Sequence, residues 1–452
     1  MVETVLDVVT IETPSLGDRS YLATDGRVGL VVDPQRDLDR VLAEAERRSV
    51  RVTHVLETHV HNDYVTGGLA LARRTGATYL VSADDDVAYE RTPIAHGDVV
   101  EIGPTMRVRA LATPGHTFHH LSYALEGDGG VKGVFTGGSL LFGTTGRPDL
   151  LGPDNTGTLV RAQHDSVRKL ADELPGETPI YPTHGFGSFC SSSPARVDAS
   201  TIGREKLANP ALTLDEEAFV SSLLAGLDVY PAYYARMAAI NVSGPGEPDL
   251  SPPAPADPGE LRRRIAAGEW VVDLRSRTAF ASGHVPGTLN FGLDGNFVTY
   301  LGWLIPWDTP VTLLGETPQR VAEAQRELVR IGIDRPAAAA AGGPEDWSDG
   351  RPLRAYPTAT FADLASEPTR PVVLDVRRDL ERQEARVADS LHIPLHDLPR
   401  RLDEVPRGPV WVHCASGYRA SIAGSLLDAA ERDVVVMDDD FDNAEKAGLT
   451  DP

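Results

Sequence analysis

Three short stretches place histidines where they could hold a metal ion: THVHNDY (Thr58 to Tyr64), TPGHT (Thr113 to Thr117) and PTHGFGS (Pro182 to Ser188). His59 and His61 stand two apart on a loop, so both can turn toward one ion, and His116 adds a third imidazole. Three imidazoles with an open position suit catalysis at Zn2+ or Fe2+. Asp63 and His184 could serve a second ion or orient the ligands of the first. A single histidine is more often a satisfied core residue; an ordered set argues for a metal fold. A different chemistry is offered by VWVHCASGYRAS (Val410 to Ser421). Here a strand-like run ends in Cys414, a loop with Ser416, Gly417 and Tyr418 follows, and Arg419 opens a helix. Such a loop aims backbone N–H groups at the sulfur, and the helix N-terminus adds positive potential. Both favour thiolate over thiol, which makes Cys414 a nucleophile. Arg419 can neutralise an anionic substrate, and Ser416, Gly417 and Tyr418 would lie against it.

These residues need rigid elements behind them. Apolar runs such as GLVVD, THVLETH, RVRALATPGH and GVFTGGSLLF alternate with turn signals, and several end on a histidine or glycine. Site residues on loops held by strands follow from that pattern. Helix-compatible stretches include DLDRVLAEAERR and VRAQHDSVRKLADEL. Beyond a Pro- and Gly-rich stretch from Ser243 to Glu260, which reads as an extended linker, the chain repeats itself. VVDLRSR (Val271 to Arg277) matches VLDVRRD (Val373 to Asp379), HVPGTLN matches HIPLHDL, and PVTLLGETPQRV matches PVWVHCASGYRA. Each copy alternates short Val/Leu-rich runs with helical stretches, which argues for α/β units on a parallel sheet. A weaker break lies around Gly342 to Pro357. The expected division is 1–242, 256–350 and 355–452.

Composition narrows the function. At 452 residues the chain is too long for one core. A net charge of −23 should repel nucleic acid and anionic membranes, so no such partner is expected. No apolar run is long enough to span a membrane. The N-terminus lacks the pattern of an export signal, and two cysteines exclude a disulfide framework, so a cytoplasmic, reducing location is expected. Nothing in the sequence speaks against a homo-oligomer.

The three histidine stretches, together with FTGGSLLFGTTGRPDL (Phe135 to Leu150), resemble the metallo-β-lactamase fold over about residues 1 to 240, and more narrowly its glyoxalase II and persulfide dioxygenase branch. The resemblance implies an αββα sandwich. It also exposes two departures. The loop of the family ends in His where this chain has Tyr64, and its metal-ligating Asp falls on Gly138. In the mononuclear iron dioxygenases the iron is held by histidines matching His59 and His116 together with that Asp. The resemblance therefore leaves a site on His59, His61 and His116, holding one Fe(II), a Zn2+ or no ion, and it argues against a two-ion hydrolase. GRPDL resembles a segment of the dioxygenase branch in which Arg147 would bind the carboxylate of a thiol carrier; a buried pair with Asp149 is the alternative. Cys190, six positions past His184, is either reactive or, more commonly, a small buried thiol. His119 and His120 read as structural, since strand neighbours point oppositely.

The Cys414 loop, with DVR (Asp375 to Arg377) and HIP (His392 to Pro394), resembles rhodanese, a sulfurtransferase. Four residues separate Cys414 from Arg419, one fewer than in the related phosphatase loops, which suits sulfane sulfur rather than phosphate. The first copy has Gly315 in place of the cysteine and resembles an inactive rhodanese; Arg320 there reads as a surface residue. The whole resembles persulfide dioxygenase–sulfurtransferase fusions: a metallo-β-lactamase αββα sandwich followed by two rhodanese-like α/β domains with parallel sheets. Its implied partners are a low-molecular-weight thiol persulfide, sulfite and thiosulfate. Three readings compete: the full dioxygenase–sulfurtransferase, a sulfurtransferase with a metal-free binding domain, and a glyoxalase II-like thioester hydrolase.

Overall fold

The computed structural model describes residues 6–192 and 197–451. The chain divides into two compact units, one reaching to Pro248 and joined by Val329–Gly332, the other formed by Asp249–Leu328 and the residues from Ile333 onward. Both copies of the repeat lie in the second unit.

The first unit is a four-layer sandwich. Its first sheet pairs strands Asp7–Thr13, Asp18–Thr24, Val28–Val32, Arg51–Leu56, Thr78–Ser82 and Thr92–Ile94 in that order. Its second sheet runs Ile180–Pro182, Gly130–Gly137, Leu121–Gly127, Met106–Ala112, Val99–Gly103. Side chains alternate across each strand, so Tyr21 and Ala23 enter the core between the sheets while Leu22 faces outward. Outside the first sheet lie helices Asp39–Arg47 and Gly68–Thr75, packed through Val41, Ala45, Leu69 and Leu71. Outside the second lies the long helix Pro153–Glu173, packed through Val160, Val167 and Leu170. An amphipathic stripe on each helix and a two-faced sheet leave this layering as the way to bury all apolar faces.

The second unit holds two parallel sheets. One pairs Leu289–Asn290, Trp270–Asp273, Val311–Gly315 and Ala338–Ala341 in that order. The other pairs Thr358–Ala359, Val434–Met437, Val410–His413, Val372–Asp375 and Leu391–His392. The repeat extends to its buried ion pairs: Arg275 meets Asp273 at 2.6 Å, and Arg377 meets Asp375 at 2.8 Å. The stretch read as linker is shorter than expected at both ends. Ser243 closes helix Tyr234–Ser243, and Pro258 opens helix Pro258–Ala266, with Asp257 accepting from Glu260 N. A proline in the first turn after an Asp cap is a helix start, which the Pro count of the stretch concealed. No helix among the described residues is long and apolar enough to cross a membrane.

Candidate metal centre and nucleophile

His59, His116 and His184 each stand just beyond a strand end, after Arg51–Leu56, Met106–Ala112 and Ile180–Pro182. All three are buried, and their donor atoms lie within 4.8 Å of one another. His59 Nε2 and His184 Nε2 are 3.4 Å apart, and the buried Nε2 of His116 has no hydrogen-bond partner among the described residues. Bonds of about 2.0–2.1 Å to one tetrahedral ion would set ligand nitrogens roughly 3.3–3.4 Å apart. The other nitrogen of each ring is already engaged. Thr58 Oγ1 is 2.8 Å from His59 Nδ1, the Arg147 carbonyl is 2.8 Å from His116 Nδ1, and Asp18 and Asp63 lie 2.9 and 3.1 Å from His184 Nδ1. Fixing one ring nitrogen orients the other, as partners of metal-ligating histidines do. Asp33 anchors the arrangement by accepting from both N and Oγ1 of Thr58, each at 2.7 Å. This donor set fits one metal ion.

Electrostatics divide the histidines. Burial and the neighbouring imidazoles hold His59 well below the ordinary histidine range, and burial with the charge of His184 brings His116 down to about 3. Burial works against a charged His184 as well, but Asp63 and Asp18 outweigh it and push the ring up to about 10.

The expected set is His59, His61 and His116; here His61 is grouped with Asp63 and His184, and with Asp33 and Glu57, rather than with His59 and His116. Its Nε2 lies 3.0 Å from Tyr64 Oη and 3.3 Å from both Asp33 and Glu57, and its ring stacks on Tyr64. Two buried carboxylates hold it there. Glu57 is itself fixed by Thr66 and by Tyr79 Oη. His184 takes the third place. The Nδ1 side of His61 still reaches an overlapping group with Asp63 and His184. Tyr64 bonds the Asp33 carbonyl at 3.2 Å, so a phenol fills the position where the related loops carry a ligand. Sequence reasoning passed over Asp33 and Glu57; each closes an apolar strand run, in GLVVD and VLE, and that placement was the available signal.

Gly138 is packed closely. Its N–H donates to His120 Nε2 at 3.0 Å, and an ideal Cβ there would sit 2.2 Å from His116 Cδ2. The His116 ring thus occupies the space where a ligating Asp would begin. Gly138→Asp should overpack the site at a cost of about 1–3 kcal/mol, seen as a Tm fall of roughly 2–10 °C with no gain in bound metal. An unchanged Tm with higher metal content would contradict this packing.

Of the neighbouring pair, His120 is buried against Thr113, while His119 is exposed and faces Asp85. Arg147 has its guanidinium engaged within the first unit. It is buried, grips both oxygens of Asp149 at 2.7 and 2.8 Å, donates to the carbonyls of Phe189 and Asp228, and lies over Tyr230. The buried-pair alternative describes it, and its backbone carbonyl serves the site through His116. Cys190 is fully buried, and burial followed by the charge of Asp63 pushes its thiol well above the usual range.

In the second unit Cys414 ends strand Val410–His413 and is buried. The Gly417 N–H donates to its Sγ at 3.2 Å. Gly417 has φ +92°, and a Cβ there would meet Asp438 Oδ1 at 2.4 Å, so the turn into helix Tyr418–Ala429 requires glycine. Ser416 is exposed beside the sulfur's loop, and Tyr418 donates to the Gly292 carbonyl at 2.8 Å. Both terminal nitrogens of Arg419 grip Glu381 at 2.6 Å. Burial works against a charged Glu381, but Arg419 and then Arg378 outweigh it and bring the carboxyl down from 4.5 to about 2. The pair therefore stabilises the fold above the unfolded value, and that contribution is lost as pH falls from about 4.5 through about 2. Thermal melts over this range should fall more steeply for wild type than for Glu381→Gln; parallel curves would contradict the pairing. In the first copy Gly315 and Arg320 form no such site, and Arg320 pairs at the surface with Glu323.

A family pattern described as a rhodanese-like domain matches residues 257–349 and 358–447. Human mitochondrial persulfide dioxygenase ETHE1 is 30% identical over 207 residues, covering 45% of this chain and 72% of that protein. A hydroxyacylglutathione hydrolase from Polaromonas sp. is 30% identical over 159 residues, covering 35% of this chain; the match spans only 57% of that hydrolase. A crystal structure of a metallo-β-lactamase from Staphylococcus aureus superposes with a TM-score of 0.66 at 29% identity, covering 74% of this chain and 99% of that one.

Proposed function

This chain belongs to the metallo-β-lactamase-fold enzymes that include persulfide dioxygenases and hydroxyacylglutathione hydrolases, here fused to two rhodanese-like domains, and we propose that it has two reaction centres for sulfur. The first oxidises a low-molecular-weight thiol persulfide. The second transfers sulfane sulfur through Cys414. The observation that carries the first is the trio of buried imidazoles, each with one nitrogen engaged and Nε2 atoms of two of them 3.4 Å apart. A single Fe(II) on His59, His116 and His184 would supply the activation of O2. The balanced reaction is persulfide plus O2 and water giving thiol, sulfite and two protons.

The chain's own residues do the rest. Thr58, the Arg147 carbonyl and the Asp18–Asp63 pair hold the three rings in one orientation. Burial disfavours the charged forms of His59 and His116, which lowers the competition of protons with a cation for their lone pairs, while on His184 a cation would have to displace the proton that Asp63 and Asp18 favour. Asp33 and Glu57 keep His61 turned aside. At the second centre the Gly417 N–H donates to the sulfur of Cys414. Fusion raises the effective concentration of sulfite for that sulfur.

Oxygen uptake with a thiol persulfide tests the reading. Iron-loaded wild type should consume O2 and His59→Ala should not. No uptake by iron-loaded wild type would sink the dioxygenase half. The second reading, a sulfurtransferase whose first unit only binds, draws on Gly138, which supplies no carboxylate; it would then stand on Cys414 alone.

A further inference from the structure

The bidentate grip of Glu381 engages both terminal nitrogens of Arg419. The inactive copy brings a further arginine to the Cys414 loop. Arg277 opens helix Arg277–Ser282, which Leu274, Arg275 and Ser276 join to strand Trp270–Asp273. Its Nε lies 3.1 Å from where a Cβ on Gly417 would stand, so the side chain rests against the catalytic loop. That Nε donates to Asp438 Oδ1 at 2.6 Å, and Asp438 follows strand Val434–Met437. The guanidinium is thus anchored on one edge. Among the described residues its Nη1 and Nη2 make no hydrogen bond, and Asp294 Oδ2 stands 3.9 Å from Nη1. The side chain is 31% exposed, so the unengaged edge is open to a solute. Burial opposes its charge, and Asp438 and then Asp294 favour it. Tyr300 and Trp303 of the same copy line a small cleft with Val376, Arg378 and Arg419.

We infer that Arg277, supplied by the copy that lacks a cysteine, is a specificity-determining residue of the Cys414 site and holds the oxyanion end of thiosulfate, or sulfite itself, against the sulfur. The planar fork of a guanidinium matches two oxygens of such an anion, and its charge offsets part of theirs. This rests on the proposed transfer at Cys414. In that step a sulfite lone pair attacks the outer sulfur of the Cys414 persulfide anion. A new S–S bond forms, the bond to Sγ breaks, and its electron pair returns to Cys414 as thiolate, releasing thiosulfate. The reverse step charges Cys414 from thiosulfate. No oxidant or reductant is needed. The position equivalent to Glu381 in the first copy, by the Asp273/Asp375 match, is Ala279, so that copy has lost both the cysteine and the acid that would tie down an arginine.

The test compares wild type, Arg277→Ala and Arg277→Lys in the full chain, with cyanide as acceptor and either thiosulfate, a dianion with an oxyanion end, or an alkyl persulfide, a monoanion with no oxyanion end, as donor. Arg277→Ala should raise the KM for thiosulfate about tenfold, change kcat far less, and raise the KM for the alkyl persulfide by a smaller factor. Arg277→Lys should recover part of the thiosulfate loss. Equal KM rises for both donors, or a fall in kcat alone, would overturn the inference by showing only a disturbed loop. If wild type transfers no sulfur from either donor, the Cys414 reading fails and takes this inference with it.

Discussion

Cys414→Ser should reduce transfer of sulfur from thiosulfate to cyanide by on the order of a thousandfold or more, while Cys190→Ser should leave it unchanged. The two thiols are both buried, so exposure does not separate them. Their surroundings do. Cys414 stands at a strand end, accepts the Gly417 N–H at its sulfur and precedes a helix of twelve residues. Cys190 lies in the first unit where burial and the charge of Asp63 keep it protonated. Serine keeps the volume and the hydrogen bond but is a far weaker nucleophile, so the loss reports chemistry rather than folding. Formation of thiocyanate measures the transfer. Activity surviving in Cys414→Ser would remove the second centre from the account.

His184→Ala should lose bound metal outright, and His61→Ala should weaken it by about 10–100-fold, the effect of a residue that acts from outside the ligand set. The order is opposite to the one suggested by two histidines a residue apart in the loop. It follows from the carboxylates behind His61, at 3.3 Å on both sides of its Nε2, and from the 3.4 Å approach of His184 to His59. Removing His184 also strips Asp18 and Asp63 of the proton donor between them, two carboxylates buried at 1% exposure each. Some loss of stability should accompany the loss of metal, so equilibrium dialysis of a folded sample, checked by circular dichroism, is the measurement. Equal metal affinity in His184→Ala and wild type would contradict the trio.

The sequence carried much of this because local signals were strong. His59, His116 and His184 each close a strand-like run, and the structure puts all three at strand ends. The repeat in the second unit was legible down to DLR and DVR, which are paired in the same way in both copies. What spacing could not carry was which side chains are claimed by distant partners. Asp33 lies far upstream of His61, yet decides where that ring points. Glu381 lies 38 residues from Arg419 and consumes it. Arg147 had two readings in the sequence, and only the positions of Asp149, Phe189 and Asp228 distinguish them. Arg277 could not be seen at all as a neighbour of Cys414, because the two stand in different copies of the repeat. Gly138 marked the loss of a carboxylate, but the filling of its space by His116 is a matter of packing.

Elemental analysis of the chain purified without oxygen or chelator tests the central claim most directly. The account predicts about one iron per chain, the capacity of a single three-histidine site, and its absence from the same preparation of His184→Ala. A wild-type chain carrying no metal, or iron retained in His184→Ala and lost in His61→Ala, would contradict it.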